Sequence, residues 1–184
     1  PLGLAVMMVI GIVPGVAGAT DCTPTGFIRD GIDLTAALVN PAAVPTAVGA
    51  TGCNIGVYYD STGSGGTISA SDIYGANYFG VVNNGVNVTI ENSSVHGIGE
   101  SPFNGAQHGV AIYFINGGTG TISGNQIYAY QKGGITVNGA GSSATVTNNT
   151  VTGADPVSYI AQNGIQLGWG ATGTVSGNTI DGNS

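Results

Sequence analysis

The sequence predicts an all-β protein built as a solenoid of stacked short strands, and three observations carry that expectation. β-Branched residues dominate, with 17 isoleucines and 19 valines against five leucines, which favours strands over long helices. Glycine supplies 34 of the 184 residues, as a chain with many tight turns requires. Above all, one short pattern returns five times from residue 67 onward, and self-similarity on that scale is the signature of a repeat architecture.

The chain opens on a segment that reads as an address. Pro1 to Val13 is apolar apart from its glycines, and Pro14-Gly15-Val16-Ala17-Gly18-Ala19 follows. A short apolar run ending in small residues in an A-x-A arrangement predicts a secretory signal, residues 1–19, cleaved after Ala19. The run is short for a membrane span and Pro14 interrupts it. The mature chain would start at Thr20, be secreted, and keep no membrane contact after cleavage. A basic segment and a starting Met are both missing ahead of the run, which suggests that the record begins inside the gene product.

Residues 20–53 are expected to form an N-terminal cap. Cys22 and Cys53 lie 31 residues apart, both ahead of the regular repeats. In an oxidising compartment they most simply form one disulfide, and closing a loop of that size contributes on the order of 3 kcal/mol. Within the cap, Asp33 to Val39 is expected to form a short helix covering the open edge of the first coil.

The repeat itself is Thr, then Ile or Val, two residues, Ser or Asn, one residue, Ile or Val. It runs from Thr67-Ile68-Ser69-Ala70-Ser71-Asp72-Ile73 to Thr174-Val175-Ser176-Gly177-Asn178-Thr179-Ile180, with copies starting at Thr89, Thr121 and Thr145 between. Its first apolar position steps through 68, 90, 122, 146 and 175, spacings of 22, 32, 24 and 29. A Gly-[Ile/Val] pair precedes each copy, at Gly56-Val57, Gly80-Val81, Gly109-Val110, Gly134-Ile135 and Gly164-Ile165. Each unit is therefore a pair of short strands, too small to bury an apolar face alone and stable only when stacked. Stacking about 4.8 Å apart would align Ile68/Ile90/Ile122/Val146/Val175 and Ile73/Val95/Ile127/Val151/Ile180 as apolar columns. Ser71/Ser93/Asn125/Asn149/Asn178 would form a polar ladder at a turn, where Asn also tolerates left-handed backbone. Ile180-Asp-Gly-Asn-Ser184 stops within a turn of the repeat, which predicts that the native protein continues.

These columns, the Thr-[Ile/Val]-x-x-Asn-x-[Ile/Val] pattern and the Gly-[Ile/Val] strands resemble the right-handed parallel β-helix proteins of the pectate-lyase-like superfamily, and more narrowly secreted β-helix repeat proteins of the NosD-like type. The resemblance covers about residues 54–184. It implies a right-handed parallel β-helix of about five coils behind the N-terminal cap, in line with the preferred hand of parallel crossovers. For function it implies little, since the superfamily holds lyases, hydrolases, epimerases, adhesins and inert coils.

The longest spacings locate loops that could carry chemistry. The 32-residue step holds His96 to His108, including Glu100, Phe103 and Gln107, and the 29-residue step holds Asp155 to Asn163. Both lead into the Gly-[Ile/Val] strand of the next coil, so both should project on one side. Just ahead of that strand the expected stack is Tyr78, Gln107, Lys132 and Gln162, with Phe79, His108, Gly133 and Asn163 one position along. Amides pair with sugar hydroxyls and aromatics pack on sugar rings, so Gln107, Gln162, Asn163 and Tyr130 are the candidate substrate contacts, flanked by Tyr128 and Trp169. His108 or Lys132 would accept a proton, with Glu100 or Asp155 as acid or calcium ligand.

Composition limits this reading. The chain carries two basic and nine acidic residues, a net charge of −7. Arg29 and Lys132 alone make no patch for nucleic-acid phosphates or for an anionic membrane surface. With Arg29 in the cap, the coils look poorly equipped to neutralise a uronate. No cofactor is called for unless calcium helps, and no Asp-rich calcium cluster or other metal-ligand spacing is present. Glu100 and Asp155, two coils and so roughly 10 Å apart, could serve as the two carboxylates of a hydrolase. Two functions follow: a secreted protein that binds or cleaves a polysaccharide or cell-wall glycan, or a non-catalytic solenoid such as an adhesin or wall-associated repeat.

Overall fold

A computed structural model describes residues 21–183, and in them the chain forms eighteen β-strands and no helix. The expected signal segment lies outside the described residues. Strands β1 (Thr23–Arg29), β2 (Ile32–Val39) and β3 (Ala47–Gly49) come first. Five three-stranded coils follow: β4 (Ile55–Asp60), β5 (Gly66–Ser69), β6 (Asp72–Tyr74); β7 (Phe79–Asn84), β8 (Asn87–Glu91), β9 (Ser94–Ile98); β10 (Val110–Ile115), β11 (Thr119–Ser123), β12 (Gln126–Tyr130); β13 (Gly133–Asn138), β14 (Ser143–Thr147), β15 (Thr150–Thr152); and β16 (Asn163–Gly168), β17 (Thr172–Ser176), β18 (Thr179–Asp181). Sheet 1 runs β1-β2-β4-β7-β10-β13-β16, sheet 2 runs β17-β14-β11-β8-β5, and sheet 3 runs β18-β15-β12-β9-β6-β3. Apart from the antiparallel β1–β2 pair, every pairing is parallel.

The unit is a triangle of three strands where the spacing suggested two. The Thr-[Ile/Val] half of the repeat lies in sheet 2 and the Ser/Asn-x-[Ile/Val] half in sheet 3, with a corner between them. Both apolar columns hold as expected, since Ile68, Ile90, Ile122, Val146 and Val175 pair in register, as do Ile73, Val95, Ile127, Val151 and Ile180. Apart from Val175 and Ile180 in the last coil, they are buried in one continuous core.

The polar ladder turns the same corner in every coil. Backbone N–H groups of Ser71, Ser93, Asn125 and Asn149 donate to the side-chain oxygens of Ser93, Asn125, Asn149 and Asn178 at 2.9–3.1 Å. The left-handed residue is the one before the ladder: Ala70, Asn92, Gly124, Asn148 and Gly177 all have φ between 48° and 66°. The ladder asparagines thus serve as hydrogen-bonding groups, and their neighbours supply the bend.

The expected helix at Asp33–Val39 is instead most of β2. Leu34 and Ala36 are buried with more open residues between them, a period of two rather than 3.6. Ala36, Leu38 and Val39 pair with Ile55, Val57 and Tyr58 of β4, so the segment caps the solenoid by joining its first sheet. The residues Asp30-Gly31, both at positive φ (50° and 77°), close a two-residue turn between Arg29 and Ile32, the geometry that matches strand twist.

That hairpin folds across the outer face of sheet 1. Its Phe27 and Leu34 pack with Tyr58, Phe79, Val82, Val110 and Tyr113 in a second apolar cluster. Phe27 lies 6.1 Å from the ring centres of both Tyr58 and Phe79. Strands β4, β7 and β10 are accordingly apolar on both faces, as strands covered twice must be. A disulfide between Cys22 and Cys53, with Cα atoms 5.5 Å apart, ties the start of β1 beside the start of β4. Replacing both cysteines by Ser should lower the unfolding free energy by about 3 kcal/mol, read as a fall in the urea midpoint at unchanged slope.

Candidate functional site

The outer face of sheet 1 changes character along the solenoid. Its register columns run Ile55/Phe79/Val110/Gly133/Asn163 and Tyr58/Val82/Tyr113/Thr136/Gln166. The first three coils present apolar groups to the hairpin; the last two present small and polar ones. Where the hairpin ends, a groove of about 390 Å³ opens. Arg29 at the hairpin tip, Tyr113, Lys132, Asn138, Gln166 and Trp169 are among the residues that line it. A second recess of about 490 Å³ shares Gln107 and Lys132 with it and continues over Tyr159 and Ile160.

Two buried glutamines hold the insertions that form its wall. Gln131 accepts from the Glu100 and Asn104 N–H groups at 3.1 and 3.2 Å and donates to the Ala106 carbonyl at 2.8 Å. Gln162 accepts from Ala154 N–H at 2.7 Å and donates to the Tyr130 carbonyl at 2.6 Å. Both polar side-chain atoms of Gln162 are thereby bonded to backbone groups, and the residue does not line the groove. Tyr130 is fully buried in the core with its hydroxyl on Asn183, and burial pushes its phenol up to about 12.

Gln107, Lys132 and Asn163 do line the groove. Lys132 is held there by an Nζ–H bond of 2.8 Å to the Ala161 carbonyl. Gln107 and His108 are out of the expected register, because Gly109 and not Gln107 stacks with Tyr78 and Lys132 through backbone bonds. His108 instead sits face to face with Tyr78, ring centres 3.9 Å apart, with Nε2 2.6 Å from Glu100 Oε1. Burial, then the neighbouring Asp30 charge, raise the Tyr78 phenol above its ordinary value. Glu100 faces a separate recess with Pro102 and Phe103. Asp155 lies on the exposed second insertion, its N–H on the Gly182 carbonyl. Neither carboxylate lines the groove. Tyr128 belongs to a different face: it stacks on His96, and His96 on Tyr74, along the outside of sheet 3.

Sequence reasoning missed six groove residues, Arg29, Val110, Tyr113, Thr136, Asn138 and Gln166. Thr136, Asn138 and Gln166 alternate with the core residues Ile135, Val137, Ile165 and Leu167, a period-two signal present in β13 and β16. Arg29 was legible only through the Asp-Gly turn beside it, a strong hairpin signal that brings the cap over sheet 1. Asn138 Nδ2 donates to Tyr113 Oη at 3.2 Å, while its Oδ1 is buried and has no protein partner among the described residues. Among the described residues no cluster of three or more His, Cys, Asp or Glu is placed to hold a metal ion.

The family model described as right handed beta helix region matches residues 45–184. No curated protein and no solved structure matches the chain. With parallel coils, in-register columns and a corner ladder across the matched span, the chain belongs to the right-handed β-helix family.

Proposed function

We propose that the groove on sheet 1 binds an extracellular glycan, on a protein exported by the apolar leader at its N-terminus. The observation that carries this reading is the groove's lining: side-chain amides at Gln107, Asn138, Asn163 and Gln166, with Trp169 at the rim, 76% exposed. Amides match hydroxyl donors and acceptors, and an indole face packs on a sugar ring. A trough running across strands suits a linear polymer. Its lining has no carboxylate to act as acid or calcium ligand, which favours binding over hydrolysis.

The test is binding to a panel of cell-wall polysaccharides, scored by pull-down, with mass spectrometry of the supernatant for cleaved or unsaturated products. Trp169→Ala should weaken binding about tenfold while leaving the melting temperature within about a degree, as expected for a surface side chain. Undiminished binding by that variant would remove the groove as the glycan site.

A further inference from the structure

We infer that the outer face of sheet 2 binds ice, a function separate from the groove on sheet 1. Threonine stands at one outward position in every coil: Thr67, Thr89, Thr121, Thr145 and Thr174 pair in register along the parallel strands. Each precedes a residue of the apolar column, so the threonines face away from the core. Across β5, β8, β11, β14 and β17 there are fourteen such outward positions. Twelve hold Thr or Ser, and Asn87 and Glu91 are the exceptions. The five hydroxyls of the threonine column make no hydrogen bond to protein among the described residues, which leaves them to bond water.

Strand spacing turns these residues into a grid. Neighbouring threonines of the column lie about 4.8 Å apart, and the flanking columns stand about 6.6 Å to either side. Five strands carry the grid about 19 Å along the solenoid. Both repeats lie near the oxygen spacings on the prism planes of hexagonal ice. A β-branched side chain has a restricted χ1, so little freedom is lost when a water lattice forms on it. Hydroxyls anchor lattice waters by hydrogen bonds, and methyls order the water between them. Strand propensity alone does not account for the array. Threonine does favour strands, but the outward columns of parallel sheet 3 run Asp72/Ser94/Gln126/Thr150/Thr179 and Tyr74/His96/Tyr128/Thr152/Asp181. An ordinary solvated face mixes charges, whereas the outward positions of sheet 2 hold Glu91 alone. A charge organises its own hydration shell and spoils a water lattice, so a neutral hydroxyl face suits ice.

The native protein is tested by nanolitre osmometry, which reads the gap between melting and freezing of a single ice crystal, and by ice recrystallisation in a thin film. It should facet the crystal, open a freezing gap absent from an albumin control, and keep the ice grains small. Thr121→Tyr, in the middle of the column, should lose most of the gap and of the grain-size effect. Tyrosine is itself a strand former, so the variant should melt within about 2 °C of the native chain. Thr145→Tyr repeats the test one coil on, should Thr121→Tyr fail to fold. Thr152→Tyr, on the outer face of sheet 3, should keep both effects. A native protein that leaves ice discs round and freezes like the albumin control would overturn the inference, as would full activity in a folded tyrosine variant of the column. Neither result bears on the glycan reading of the groove.

Discussion

Replacing Asn149 by Ala should cost about 4 kcal/mol of stability, although the change removes only three heavy atoms. The residue is buried in the fourth coil and makes four bonds at once. Its Oδ1 accepts from the Asn125 N–H at 3.0 Å and Asn125 Nδ2 at 2.9 Å; its Nδ2 donates to the Ile122 carbonyl and to Asn178 Oδ1, both at 2.9 Å. Alanine would leave these partners facing a dry cavity. The ladder couples coils, so the loss should open the stack between coils three and five rather than at one turn. Ser71 is the contrast at the end of the ladder: no further ladder side chain depends on it, and Ser71→Ala should cost about 1 kcal/mol or less. Urea midpoints of the two variants at equal slope measure the difference, and equal costs would show that the ladder does not carry load from coil to coil.

Gly120→Ala should be the most damaging glycine-to-alanine change among the described residues. Gly120 has φ +149°, and a Cβ there would stand 1.8 Å from the Val88 carbonyl oxygen. Val88 is the neighbouring strand's backbone, paired directly with Gly120, so it cannot move aside without breaking the β8–β11 ladder. A cost of about 4 kcal/mol or loss of soluble protein is expected. Gly117, three residues earlier, also has positive φ (84°) but nothing within 4 Å of an added Cβ. Gly117→Ala isolates the backbone strain alone, about 1 kcal/mol. Melting temperatures of the pair separate strain from collision, and similar values would show that β8 and β11 can yield.

What the sequence made legible is what strict periodicity controls. The two apolar columns and the Ser/Asn ladder recur at fixed offsets because each coil must place the same group against its neighbours. The Gly-[Ile/Val] column failed at one coil: the residue stacked with Val81 and Ile135 is Ile112, and Gly109-Val110 is displaced by two. There Ala111 stands where the other coils have glycine, so the motif match landed on the wrong Gly. The first insertion ends at that point, and its length hid the slip; Gln107 and His108 moved with it. The cap was misread for a different reason. Asp33-Leu-Thr-Ala-Ala-Leu-Val39 has fair helical propensity, but the exposed edge of sheet 1 and the apolar residues Tyr58, Phe79 and Tyr113 gave it a better partner as a strand. Propensity yields to packing in such cases. Arg29 followed the hairpin and changed the charge of the groove, which no local pattern in the coils could reveal.

The most direct measurement is a titration of uniformly ¹⁵N-labelled protein with an oligosaccharide of the polysaccharide that the pull-down panel retains, followed by chemical shifts of the Trp169 indole and the side-chain amides. Shifts concentrated on Trp169, Gln107, Asn138, Asn163 and Gln166, with the Tyr74–His96–Tyr128 face of sheet 3 unmoved, are the predicted result. Shifts centred on sheet 3, or a saturating ligand that leaves Trp169 and the groove amides in place, would contradict the groove as the site.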